Sequence, residues 1–393
     1  MLKTKEKDCC GCTICAEACP RHIIHILFDE QGCAFSAVKD RSQCINCNIC
    51  NHVCPVQRTA DLNKHIETVF AVKSKKNREL SQSGGAFAVI AEYIIEEYSG
   101  VVYGAVLDGE NDKVAYQRAE HVNQLEKMKG SKYVQAYMEN VVHFLIRDLQ
   151  KGRKVFFCGS PCYVYGVKLL AKQFSLEHNL ITADFICHGV AVPSMFRKYM
   201  RYIRDRFGKA SDFNFRDKTV TGWRGHIESF VAGKEKIVSK NYANMYYSHI
   251  LMRSSCYQCK FTNQDRVGDI TIGDFWGIEK SAKKFADNKG ISFFAINSER
   301  GANVWEDIKG KFDYIPENIE NGLQPTIQHP IEKPECYSGF WEVFTSKGFV
   351  PAVVKYCGFD EENFVSIRAY RVHQSIGNFK SLIYRILTFD LKG

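Results

Sequence analysis

The sequence predicts an α/β fold (α+β over the whole chain), with a small cysteine-rich domain ahead of a larger mixed α/β domain. Three observations predict it. A four-cysteine run occurs twice near the N-terminus, strand-like and helix-like segments alternate from about residue 68, and 393 residues exceed what one typical core needs. The expected divisions are 1–64, 65–300 and a mostly helical extension over 301–393.

The repeated runs are CCGCTICAEACP from Cys9 and CINCNICNHVCP from Cys44. Both read C-x2-C-x2-C-x3-C-P, in which three thiolates wrap one [4Fe–4S] cube and the fourth crosses to the other. Cys9, Cys12, Cys15 and Cys54 are therefore expected to hold one cluster. Cys44, Cys47, Cys50 and Cys19 are expected to hold a second. Structural zinc sites more often pair C-x-x-C halves from separate segments. Cys10 and Cys33 read as bystanders. Between the runs, HIIHILFDEQGCAFSAVKD predicts two short strands about a Gln31-Gly32 turn.

In the larger domain, residues 68–73 predict a strand, and SQSGGAFAVIAEYIIEEYSG predicts a Gly-Gly turn opening a helix. VVYGAVLD, KVFFCG and NLITADFICHG read as strands. ENVVHFLIRDLQKG, YVYGVKLLAKQF and PSMFRKYMRYIRDRFG read as helices, the last with Pro193 in its first turn. Cys162 follows one strand and Cys187 ends the next. In open α/β sheets ligands gather beyond the carboxyl ends of the strands. Cys256 and Cys259 of SCYQCKF supply only half a ligand set. Cys162, Cys187, Cys256 and Cys259 are thus expected to share a third [4Fe–4S] cluster, with Cys158 as the substitute ligand and zinc as the other metal this spacing admits. Cys336 and Cys357 lack partner spacing.

Seven strings occur in order: SQSGG, VVYGAV, GSKYVQ, GSPCYVYG, DFICHGV, SCYQCKF and DITIGDFWG. In them the chain resembles the coenzyme F420 hydrogenase/dehydrogenase beta-subunit family, in versions carrying an N-terminal dicluster ferredoxin domain. The resemblance runs from about residue 1 to about residue 300. It implies a domain binding FAD beside a [4Fe–4S] cluster, with electron pairs at the flavin and single electrons at the clusters. It places Ser81, Ser83, Gly84 and Gly85 near a phosphate, where glycines before a helix let backbone N–H groups approach. Gly130, Ser131, Lys132 and Tyr133 are expected along the flavin pyrophosphate or ring, and Asp274 and Trp276 at its face. His188, directly after Cys187, is expected to tune the cluster by hydrogen bonding or to donate a proton. No catalytic acid or base is assigned.

The leading expectation is a flavin and iron–sulfur oxidoreductase. Its partners would be a one-electron carrier such as ferredoxin, or a partner oxidoreductase subunit, and a small two-electron substrate, either coenzyme F420 or another organic molecule. The alternative is a non-catalytic electron-relay subunit. The formal charge of +9 is offset by clusters that carry about −2 each with their thiolates, so it does not argue for nucleic acid. An odd count of 17 cysteines at metal-ligand spacing, without a secretory leader, predicts a reducing cytoplasmic setting. No apolar run is long enough to span a bilayer. Apolar residues recur at near-helical spacing over 363–391, and packing on the body is favoured there over membrane contact.

Overall fold

The computed structural model describes residues 2–58, 66 and 68–374. Strand β1 (Ile24–Phe28) pairs antiparallel with β2 (Ala34–Val38), Ile24 facing Val38. The turn between them is held by Asp29, whose carboxylate accepts the Cys33 N–H at 2.7 Å, and by Gly32 at φ +77°. A left-handed backbone there favours glycine because no Cβ meets the carbonyl. Each cysteine run ends in a single helical turn, Ile14–Glu17 or Ile49–His52.

Beyond these, the chain lays down β3 (Thr68–Ser74), β4 (Val101–Asp108), β5 (Lys113–Ala119), β6 (Ala136–Tyr137), β7 (Val155–Gly159) and β8 (Leu180–Phe185). After β9 (Ala210–Asn214), β10 (Glu228–Ala232) and β11 (Glu235–Ser239) come β12 (Ile270–Asp274), β13 (Ser292–Ile296), β14 (Phe312–Glu317) and β15 (Val365–Ser366). Among the described residues, nine strands form one sheet in the order β14-β3-β13-β12-β8-β7-β4-β5-β6. Its centre, β4-β7-β8-β12, is parallel. That explains the unbroken apolar runs of β7 and β8: Val155, Phe156 and Phe157 are buried because both faces are covered. The helices Ala86–Tyr98, Val141–Gln150 and Pro161–Gln173 cover the two faces. The fold is mixed α/β, as the alternation predicts.

A smaller sheet, β15-β11-β10-β9, packs on the helix Pro193–Phe207 through an aromatic cluster that includes Phe196, Tyr199, Phe213 and Tyr242. Its β9–β10 connection carries Arg216, Trp223 and His226 towards the main sheet.

Three expectations are corrected. The division at residue 300 fails because β14 pairs with β3 along its whole length, so the last edge of the main sheet comes from the supposed extension. ISFFAINSERGANVWEDIKGKF reads as a strand, a turn at Gly301 and a helix, but Gly301 lies inside the helix Glu299–Ile308, which Ser298 caps by accepting the Gly301 N–H. The helical reading from residue 363 fails at its start, because Val365 and Ser366 join β11 as a strand; residues 375–391 of that reading lie outside the described residues. No helix among the described residues is long and apolar enough to cross a membrane.

Candidate electron-transfer site

The two cysteine runs fold alike. Gly11 and Asn46, at matching positions, have φ +77° and +55°, and Thr13 and Asn48 have φ +60° and +62°. Left-handed residues alternating with ordinary ones curl the backbone so that successive N–H groups face inward, a cradle for anionic sulfur. The Gly11 N–H accordingly points at Cys9 Sγ, 3.4 Å away. Cys9, Cys12, Cys15 and Cys54 line one cavity together with Cys10 and Val56. Cys19, Cys44, Cys47 and Cys50 line another. Crossing of the fourth cysteine between the runs follows from the packing of the two helical turns against each other.

A third set forms at the sheet edge. Register pairs Gly159 with Asp184, so β7 and β8 end side by side and present Cys162 and Cys187 at one rim. Cys256 lies in the turn Ser254–Gln258 and Cys259 follows it. All four thiols line one large cavity of about 770 Å³. Burial pushes the Cys187 thiol up to about 12 and Cys259 to about 11, with neighbouring cysteines of the set adding to the shift. Such thiols ionise readily only when a cation compensates them, as iron does on ligation. Cys158 also lines the cavity, yet its charged neighbours are Asp184 and Lys132 rather than the other three cysteines. Among the described residues no three His, Cys, Asp or Glu side chains gather as ligands of a single metal ion.

The segment that presents Cys259 is anchored by a buried pair. Asp184 accepts from Arg266 Nη2 at 2.7 Å, from Thr271 Oγ1 at 2.8 Å and from the Gly268 N–H at 2.7 Å. Arg266 in turn donates to the Phe261 and Asn263 carbonyls.

The large cavity receives most of the other expected residues. Ser81, Ser83, Gly85, Gly130, Ser131, Lys132, Tyr133, Asp274 and Trp276 line it, as does His188. The Ser81 Oγ and Gln82 Nε2 atoms are buried without a hydrogen-bond partner among the described residues. Orphaned donors beside the start of the helix Ala86–Tyr98 fit the anionic part of a dinucleotide.

Four of the expected contacts are revised. Gly84 does not line the cavity; a Cβ there would lie 2.2 Å from the Val72 carbonyl oxygen, so its role is close packing of backbone. Ser83 Oγ is committed to the Ile291 carbonyl at 2.8 Å. Lys132 Nζ donates to the carbonyls of Met128 and Lys129 at 2.9 and 2.8 Å, closing the preceding turn rather than reaching for phosphate. Burial pulls its pKa down to about 7, against which those carbonyls hold the proton. The Asp274 carboxylate is taken by Arg216 Nη1 and Trp223 Nε1, each at 2.6 Å. Asp274 is thus a strut that seats Trp223, and Trp223 stacks on Trp276 with centroids 4.8 Å apart and planes 5° from parallel.

Other wall residues escaped the sequence reading. Phe87 and Tyr116 are apolar lining, and His226 and Tyr247 meet at 2.9 Å between the imidazole Nδ1 and the phenol oxygen. Burial and the nearby Arg216 guanidinium pull His226 down to about 4. The string GWRGHI had composition to draw attention but no recognisable spacing.

Residues 152–319 match the family described as the C terminus of the beta subunit of coenzyme F420 hydrogenase/dehydrogenase. Among solved structures the chain is similar to one from the xenon-derivatised F420-reducing [NiFe] hydrogenase complex of Methanosarcina barkeri. Identity there is 14%, the TM-score is 0.46, and the match covers 67% of this chain and 86% of that one. No curated protein matches.

Proposed function

We propose that the chain, whose residues 152–319 match the coenzyme F420 hydrogenase/dehydrogenase beta-subunit family, is an iron–sulfur flavoprotein oxidoreductase. In this reading electron pairs are exchanged with an organic substrate, coenzyme F420 or another, at an FAD in the large cavity. Single electrons pass through three [4Fe–4S] clusters to a ferredoxin-type carrier or a partner subunit. The observation that carries it is the shared wall: Cys162, Cys187, Cys256 and Cys259 face the same 770 Å³ space as the orphaned Ser81 and Gln82 groups.

A bound flavin supplies the exchange between two-electron and one-electron transfer. The chain supplies the rest. The backbone at the start of the helix Ala86–Tyr98, with Ser81 and Gln82, holds the anionic part of the cofactor. Phe87, Tyr116 and Trp276 exclude water from the planar part. The Asp184–Arg266 pair keeps Cys259 facing Cys187, so the third cluster stays beside the cavity. The His226–Tyr247 pair stands at the cavity wall, where a proton is held or released as the charge inside changes.

Anaerobic purification followed by iron, sulfide and flavin determination tests this. About twelve irons and about one FAD per chain are expected. About eight irons with no flavin, in protein with its N-terminal sets filled, would overturn it.

A further inference from the structure

The cavity of the first cysteine set and the large cavity meet at one wall. Cys10 and Val56 are the residues common to both linings. Cys10 is buried, and it lines one cavity with Cys12 and the other with Cys162. A side chain that reads as a bystander in the spacing therefore shares a cavity wall with a candidate ligand of each of two clusters.

The wall is gripped from the larger domain by residues that adjoin its own cysteines. Tyr163, next to Cys162, donates to the Gly11 carbonyl at 3.2 Å. Lys260, next to Cys259, donates to the Val56 carbonyl at 3.0 Å. Arg253, three residues before Cys256, donates to the Cys9 carbonyl at 2.8 Å, to the Ala34 carbonyl at 2.8 Å and to Gln135 Oε1 at 2.7 Å. Gly11 admits no side chain, since a Cβ would lie 2.4 Å from Gln135 Nε2. The segments that carry Cys162 and Cys256–Cys259 thus hold the loop or the residue facing them.

Resting on the three-cluster reading above, we propose that Cys10, flanked by Val56, is the point where electrons cross between the first N-terminal cluster and the third. With Cys162 bound as a thiolate, the Cys10 thiol would be the group placed to donate to its sulfur. One electron leaves one cluster and arrives at the other; Cys10 stays a thiol, and no bond forms or breaks. Hydrogen bonds to ligand sulfurs are among the determinants of cluster potential. Cys10 is therefore a positioning residue for the third cluster as well as a wall residue shared by the two cavities.

The test compares the full-length protein with Cys10→Val and Cys10→Ser, purified anaerobically. Readouts are iron and flavin content, potentiometric EPR, and the rate at which the flavin is reduced when electrons are supplied to the N-terminal clusters. Both variants should keep about twelve irons and the flavin. Cys10→Val should change the reduction equilibrium of one cluster about tenfold, about 59 mV for one electron, and slow flavin reduction by a similar factor. Cys10→Ser, which keeps a donor, should recover most of both. Unchanged potential and rate in Cys10→Val would overturn the inference while leaving the three-cluster reading intact. Loss of about four irons from Cys10→Val would also overturn it, making Cys10 a ligand. A wild-type protein lacking the third cluster would overturn the reading and the inference together.

Discussion

The two cysteine runs share one spacing and one backbone form, yet their surroundings differ. Cys12, Cys15 and Cys54 of the first set are buried, and Gly166 of the helix Pro161–Gln173 comes so close that a Cβ would lie 2.9 Å from Ile14 and 3.5 Å from Cys12 Sγ. In the second set Cys47 is exposed, beside Ile45 at 60% exposure, with Arg21, Lys39 and Arg41 exposed around it. The Lys39 N–H binds the Ile23 carbonyl and the Cys44 N–H binds the Arg41 carbonyl, which keeps these cations near the second set. In the proposed route the first set is the inner terminal and the second the outer one, since Gly166 packs on the first while the second keeps Cys47 exposed, although its Cys19 and Cys50 are buried. The same difference gives the proposed electron route a direction in space.

The largest expected effect comes from removing the inner destination. Cys187→Ala should lose about four irons and the electron path to the flavin, whereas Cys158→Ala should keep all about twelve; equal losses in both would break the assignment. Wedging the inner contact comes next. Gly166→Leu should destabilise the fold by about 1–3 kcal/mol through overpacking, read in thermal unfolding, and should deplete iron from the first set before the second. Charge reversal at the outer terminal is smaller. Arg21→Glu with Arg41→Glu should slow reduction by an acidic carrier several-fold at low salt, vanish as an effect at high salt, and leave a neutral dye unaffected. If the neutral dye slows equally, the outer set is damaged rather than its approach.

The smallest effect lies away from both terminals. His226 is held near 4, below its ordinary value, by burial and Arg216. The folded state then binds fewer protons than the unfolded one between about pH 6.5 and 4. Stability attributable to this group is complete above about 6.5 and declines as pH falls towards 4. His226→Gln should flatten that stretch of the stability profile, measured by denaturant titration at fixed pH steps. A profile of unchanged slope would show that the imidazole is not buried neutral.

Much of the molecule was legible from local pattern. Ligands three residues apart on a tight loop must face one way, so the cysteine runs could be read before any fold was known. Apolar strands alternating with helices require a covered sheet, and Pro161 and Pro193 mark helix starts because a first-turn residue needs no amide donor. Beyond that, Lys132 and Asp274 looked like free polar groups in their strings, and tertiary partners had already taken both. Strand β14 looked like part of a separate tail because pairing with β3 spans more than two hundred positions of sequence.

By itself, then, the sequence determined the repeated spacing of the cysteines and that the larger domain is a layered α/β fold, since both depend on neighbours a few positions away. The tertiary structure alone decided which cysteine set faces inward, which polar groups remain unspent, and that Cys10 stands between Cys12 and Cys162. Those outcomes depend on long-range contacts, and spacing along the chain carries no record of what a side chain meets when distant segments pack.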